Sequence, residues 1–379
     1  MRSLFVALLL ALSSPVFAQQ AFQFTSPPGA HGVGLRVVEQ YDSTRAFGSG
    51  NRPIQTVIWY PAEKGGKPLV YDEYLQLIGS VDDFSRTAQE KRQISDALIE
   101  GITEGKREPQ ITLARAQAMW AVAGAKAAPG RYPVAIYAPS FSADSMQNAD
   151  LCEVLASHGY IVIASPTLGV SKRNTSMNLE GVEAQAADIR FLIDYAQSLP
   201  NSDVTQLAVI GYSFGGLSSV FAAAKDKRIT ALVELDGSVR YFNKLVQQAA
   251  YVKPESLAVP MLYLAHYPDA IEDLLRYKQD MSGSLINDMK GADLYLFSMN
   301  ALDHINFSSW FIRGRDLNSF DEYSMAEVSL SYGWMCQYVL QFLNAYEKAD
   351  AGAKAFLAQR PELNGVPAHM MHAVIRRQR

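Results

Sequence analysis

The chain has 379 residues, 49% of them hydrophobic and 19% charged, with a formal net charge of -4. Such a composition supports a sizeable core, and a mildly acidic balance without a basic stripe excludes an electrostatic binder of nucleic acid. With only two cysteines, Cys152 and Cys336, and no C-x-x-C pair, a disulfide-dense scaffold and zinc or dithiol chemistry are excluded as well.

In chain order, residues 1–18 read as a secretory signal. Arg2 supplies the positive end, residues 5–12 a short apolar stretch, and Val16-Phe17-Ala18 a small-residue cleavage pattern. The mature chain, 19–379, is therefore expected to be secreted or periplasmic. No other apolar stretch approaches the roughly 18–20 residues that span a bilayer, so no transmembrane segment is expected. Residues 35–39 and 54–60 have the alternation of strands, and 42–53 between them is rich in turn residues. Residues 63–131 contain helical patterns over 83–100 and 111–123 whose apolar stripes need a partner surface. They read as a helical insertion after the second strand, not as an independent domain. Its aromatic residues Tyr71, Tyr74, Phe84 and Trp120 are candidates either for shielding a site or for packing.

From Pro133 onwards strands and helices alternate. Strands are expected over 134–138, 161–164, 206–210, 231–235, 261–265 and 293–298. Helices are expected over 146–158, 178–198, 217–224, 271–278 and 323–346. Both cysteines fall in helices and read as two separate buried thiols. The basic end Val374-Ile375-Arg376-Arg377-Gln378-Arg379 reads as a frayed, solvated tail. Short apolar strands alternating with helices indicate an α/β chain with a mostly parallel central sheet covered by helices on both faces.

Between strand 206–210 and helix 217–224 stands Gly211-Tyr212-Ser213-Phe214-Gly215. A G-x-S-x-G pattern in a strand–turn–helix context presents its serine on a sharp turn as a nucleophile. Glycines on both sides allow the tight turn.

A serine hydroxyl needs a base, normally an imidazole oriented by a carboxylate. Of six histidines, His304 lies beyond Ser213 on the loop after strand 293–298, where a serine-first order places the base. His266 follows an earlier strand, His158 ends a helix, His31 precedes the first strand, and His369 and His372 lie past the final helix. Two carboxylates compete as the orienting acid: Asp236 at the end of strand 231–235, and Asp269 after strand 261–265. The residues alone leave both open. An oxyanion hole needs preorganised N–H groups. One is expected from Phe214, and the other from Ser140 or Phe141 in the loop after 134–138, since Pro139 has no N–H, with Phe141 preferred.

With these residues in place, the chain resembles the α/β-hydrolase superfamily, and within it platelet-activating-factor acetylhydrolase and its bacterial relatives. The likeness is carried by Ile58-Trp59-Tyr60-Pro61, the loop after 134–138, Gly211-Tyr212-Ser213-Phe214-Gly215-Gly216, Leu235-Asp236, and His304 with Asn306-Phe307-Ser308. It implies an α/β-hydrolase fold and Asp236 as the acid, since that family places it after the very next strand. It also implies Phe141 as first oxyanion donor. One departure is Pro139-Ser140, where the family usually has His-Gly.

The resulting expectation is a serine esterase with Ser213, Asp236 and His304 as triad and Phe141 and Phe214 as oxyanion donors. It uses no metal or organic cofactor and acts on a small-molecule or lipid ester. A serine peptidase on the same triad and a non-catalytic binding protein on the same fold are the rival readings.

Overall fold

Tyr132–Ala138 is buried along its whole length, as a strand covered on both faces must be. The structure, a computed structural model, describes residues 22–103, 108–266, 285–314 and 322–377. The expected signal at 1–18, the helix at 271–278 and Asp269 lie outside the described residues.

Among the described residues ten strands form one sheet: β1 (Gly32–Phe47), β2 (Gly50–Ala62), β3 (Ala121–Ala123), β4 (Tyr132–Ala138), β5 (Ile161–Ala164), β6 (Ser202–Tyr212), β7 (Ala231–Leu235), β8 (Met261–His266), β9 (Leu294–Met299) and β10 (Met371–Arg377). Their spatial order is β10-β9-β8-β7-β6-β4-β5-β2-β1-β3. The stretch from β5 through β4, β6, β7 and β8 to β9 is parallel, while β1, β2 and β10 join by antiparallel pairing.

Alternate residues of the central strands feed two cores. Ala135, Tyr137, Ile210 and Val233 pack with helices Ala149–Ser157 and Met325–Glu347 on one face. Val134, Ile136, Val209 and Leu232 pack with helices Leu179–Gln197 and Phe214–Lys225 on the other. Both faces are thus covered, as the alternating pattern requires. The strand order turns at β4, with β5 on one side and β6 on the other, so the loops after β4 and β6 open side by side. Ligands of open α/β sheets bind at such a switch point.

Several boundaries differ from expectation. The helix expected over 83–100 is Ala88–Thr103, and the one over 111–123 is only Glu108–Arg115. The apolar residues beyond it form β3, which pairs parallel with β1. The connection read in 42–53 is mostly strand: β1 runs to Phe47 through an irregularity at Asp42–Ala46, where Asp42 accepts from Thr44 and Arg45. As far as Arg377 the basic end is not a frayed tail, because Met371–Arg377 pairs antiparallel with β9. Of the insertion's aromatics, Tyr71 and Tyr74 are core residues without exposure. Tyr74 Oη accepts from Trp59 Nε1 at 2.7 Å and donates to Glu153 at 2.8 Å. Cys152 and Cys336 are two buried free thiols, as expected.

Candidate active site

Ser213 stands between the last residue of β6 and the first of helix Phe214–Lys225, with φ 53° and ψ -116°. A non-glycine residue there is strained and persists only where its surroundings hold it. The restraints are visible: Ser213 N–H donates to Leu235 O at 3.1 Å, and Ser213 O accepts from Gly216 at 3.0 Å and Ser238 at 2.8 Å. The helix start also passes so close to β4 that a Cβ on Gly215 would lie 2.0 Å from Ala138 O, so only glycine fits.

His304 Nε2 lies 2.9 Å from Ser213 Oγ, and its Nδ1 lies 2.5 Å from Asp236 Oδ2. The structure therefore brings together Ser213, Asp236 and His304, which are far apart in sequence. An ionised carboxylate only accepts, so Nδ1 carries the proton and Nε2 is left to accept from the serine. Asp236 is fully buried, and it too has a positive φ, 46°. Burial would raise its pKa, yet hydrogen bonds from His266 and His304 hold its carboxyl well below the usual range. His304 begins a 3₁₀ turn, His304–Phe307, capped by Asp303, which accepts from Asn306 N–H at 3.1 Å. Tyr212 Oη donates to His304 O at 2.9 Å and fixes the turn from below.

In the loop after β4, Ser140 N–H is taken by Gln147 Oε1 at 2.9 Å. The Phe141 N–H has no acceptor among the described residues, and the Phe141 ring, 42% exposed, meets Phe214 edge-on at 5.6 Å. Behind the loop, Pro139 O accepts from Gln185 Nε2 at 2.8 Å and Thr167 Oγ1 at 3.1 Å.

Sequence reading missed two polar residues and gave a third another role. Gln147 and Gln185 act through backbone atoms, which leave no motif. His266, weighed as a rival base, does not approach the serine; its Nδ1 donates to Asp236 Oδ2 at 2.7 Å. Asp236, His266 and His304 also bring one donor atom each within 4.8 Å of the others, the reach of a metal site. Here both Nδ1 atoms carry protons given to the carboxylate, so the cluster is hydrogen-bonded. Of the remaining histidines, His158 Nδ1 meets Val154 O at 2.8 Å at its helix end, His31 packs on Tyr132, and His369 meets Glu327. Among the described residues no helix is long and apolar enough to cross a membrane.

A family model described as Chlorophyllase matches residues 109–254. That stretch holds Phe141, Ser213, Phe214 and Asp236 and ends before His304. No curated protein matches the chain. Among solved structures the chain is similar to a ferulic acid esterase from Streptomyces cinnamoneus. The two share 20% sequence identity and a TM-score of 0.63, over 93% of this chain and 99% of that one. Identity that low speaks for architecture alone, and with the sheet order above it establishes that this chain has an α/β-hydrolase fold.

Proposed function

We propose that the protein is a serine carboxylic-ester hydrolase working through an acyl-enzyme. The observation that carries this is the continuous path from Ser213 Oγ to His304 Nε2 and from His304 Nδ1 to Asp236, at 2.9 and 2.5 Å. Ser213 Oγ attacks the ester carbonyl carbon as its proton passes to His304 Nε2. The Phe141 and Phe214 N–H groups meet the oxyanion, each contributing about 3 kcal/mol to the transition state. The intermediate collapses, and the alcohol leaves with the proton from His304. Water, deprotonated by His304, then releases the acid and restores Ser213. Asp236 keeps the imidazole in the productive tautomer and stabilises its cation.

The apolar Phe141 ring at the loop after β4 favours esters with a small apolar or aromatic acyl group. The motif resemblance points to short-acyl or oxidised phospholipid-like esters, and the name of the similar solved structure to esters of ferulic acid. An export signal over residues 1–18 puts the enzyme in the periplasm or outside the cell, where such esters are met.

The test is labelling with a fluorophosphonate probe, together with turnover of p-nitrophenyl esters of increasing chain length. Wild type labels and turns over, Ser213→Ala does neither, and turnover falls steeply beyond about four acyl carbons. Labelling that survives Ser213→Ala, or none in wild type, removes the proposal. Faster cleavage of anilides than of matched esters turns it toward a peptidase.

A further inference from the structure

One carboxylate serves two imidazoles at this site. Asp236 Oδ2 accepts from His304 Nδ1 at 2.5 Å and from His266 Nδ1 at 2.7 Å, while Oδ1 accepts the His266 backbone N–H at 3.2 Å. The two rings stand edge to face, with centroids 6.2 Å apart. His266 is the last residue of β8, and Asp236 N–H donates to Leu264 O of that strand at 2.7 Å. Strand register therefore fixes both histidine and carboxylate.

We infer that His266 is a positioning residue for the reaction proposed above. It holds the Asp236 carboxylate against rotation and divides that carboxylate's charge between two N–H donors, limiting how strongly Asp236 draws a proton onto His304. The inference rests on the esterase reading. Asp236 without His266 would keep only the His304 ring and the backbone N–H of residue 266 among these partners. A carboxylate with one strong donor stabilises that donor's cation more than a carboxylate with two. When both rings are protonated, the two cations stand across a single anion, and each opposes the other's charge.

The surroundings do not override this pairing. Among the described residues, Asp303 opens the turn carrying His304, and Tyr212 lies with its ring centroid 5.5 Å from that of His304. Tyr263, with Arg240 over its ring, pairs with Glu234 across β7 and β8 and donates from its hydroxyl to Gly237 O. Asp303 and Arg240 are of opposite charge, and neither stands within hydrogen-bond reach of the Asp236 carboxylate in the structure.

The experiment uses the full-length enzyme with His266→Leu, which removes the donor and the titration, and His266→Asn, whose side-chain N–H replaces the imidazole Nδ1–H. Steady-state rates on p-nitrophenyl acetate are measured across pH, and downfield imidazole N–H protons are followed by NMR. In His266→Leu, the acid limb of kcat/KM moves to higher pH by about half to one unit. Its kcat falls about tenfold, with little change in KM. His266→Asn recovers most of the rate, with its acid limb between the other two. Wild type shows two downfield protons, one of which is lost in His266→Leu. An acid limb and kcat both unmoved in His266→Leu overturn the inference. So does a rate loss that leaves the limb in place and that His266→Asn fails to recover, which marks a merely structural residue. If wild type turns over no ester, the esterase reading fails by itself, and the proton resonances still decide whether His266 shares Asp236.

Discussion

Gln147 Oε1 accepts the Ser140 backbone N–H at 2.9 Å, and Gln147 Nε2 donates to Ser140 Oγ at 2.7 Å. The same residue's carbonyl accepts from Ser308 Oγ at 2.9 Å, just past the turn that carries His304. One glutamine thus ties the oxyanion loop to the histidine turn, and by occupying Ser140 N–H it leaves Phe141 N–H to face a substrate. Gln147→Ala should lower kcat for ester hydrolysis at least about tenfold while KM moves little, since a misaimed donor weakens the transition state more than the bound substrate. Steady-state kinetics with a melting curve checks this. An unchanged kcat in a folded variant would show that the loop holds its shape without Gln147.

Phe141 has two separable contributions, a backbone donor and an exposed ring against Phe214. Phe141→Ala keeps the N–H and removes the ring, so KM for apolar acyl esters should rise several-fold with kcat little changed. Phe141→Pro removes the N–H, and kcat should fall about 10²–10³-fold. Equal effects of the two substitutions on kcat would place the second oxyanion donor elsewhere.

Glu234 lies on β7 directly beneath the serine turn, without exposure and, among the described residues, with no hydrogen-bond partner on either oxygen. It fills the space left by two glycines, since a Cβ on Gly216 would come within 1.9 Å of its Oε2 and one on Gly237 within 1.8 Å. Burial pushes its carboxyl well above the ordinary value of 4.5, so the folded protein holds it uncharged. The sign follows from linkage. Below 4.5 both folded and unfolded chains keep this proton and its stabilisation is complete. As pH rises from there toward the raised folded value, the unfolded chain ionises and the folded one does not, so stability is lost. Glu153 and Glu347, both raised to about 7 by burial, add the same trend over the range from 4.5 to about 7. Glu234→Gln, uncharged at every pH, should therefore melt with a weaker dependence on pH between about 5 and 8 than wild type. Parallel melting curves across that range would mean that Glu234 is ionised in the folded protein.

How much of this was legible depends on where each residue's information lies. The strands at 161–164 and 231–235 appear with the bounds their apolar runs suggest, because both faces are buried and every position but Glu234 carries the signal. β10 was not legible: its sequence is that of a basic tail, and its order comes from backbone pairing with β9, which side-chain pattern does not report. β3 was hidden for a related reason. Met119 and Ala121 are both buried, Ala121 beside β1, and helical periodicity continued through them from Glu108–Arg115. At the site, Ser213 and His304 announced themselves by motif and by place in chain order. Asp236 needed a family resemblance to stand out from Asp269. The Gln147 side chain acts on a main-chain N–H and His266 on a carboxylate 30 residues away in sequence, and only the folded register brings them to bear.

Arg52 offers a test of how the site's far wall is held. Its guanidinium, 1% exposed, makes two parallel bonds to Asp188, at 2.7 Å to Oδ1 and 2.5 Å to Oδ2. It also donates to Gly169 O at 2.7 Å and Leu168 O at 3.2 Å. That segment reaches the oxyanion loop, where Thr167 N–H donates to Ala143 O at 2.9 Å and Thr175 N–H to Ser142 Oγ at 2.9 Å. Removing one member of a buried ion pair leaves the other charged and unpaired, which costs about 3–5 kcal/mol. Arg45 also reaches Asp188, at 2.7 Å, and softens the loss. Arg52→Met alone should therefore lower stability toward the bottom of that range, and it should also reduce kcat, because Leu168 and Gly169 lose their anchor. Arg52→Met with Asp188→Leu removes both buried charges, and the pair should be less destabilised than the sum of the single variants, with a coupling of at least about 1 kcal/mol. Urea unfolding of wild type, both singles and the double closes that cycle. Strict additivity would mean that Arg52 and Asp188 stabilise the fold independently, through Arg45 and the main-chain acceptors alone.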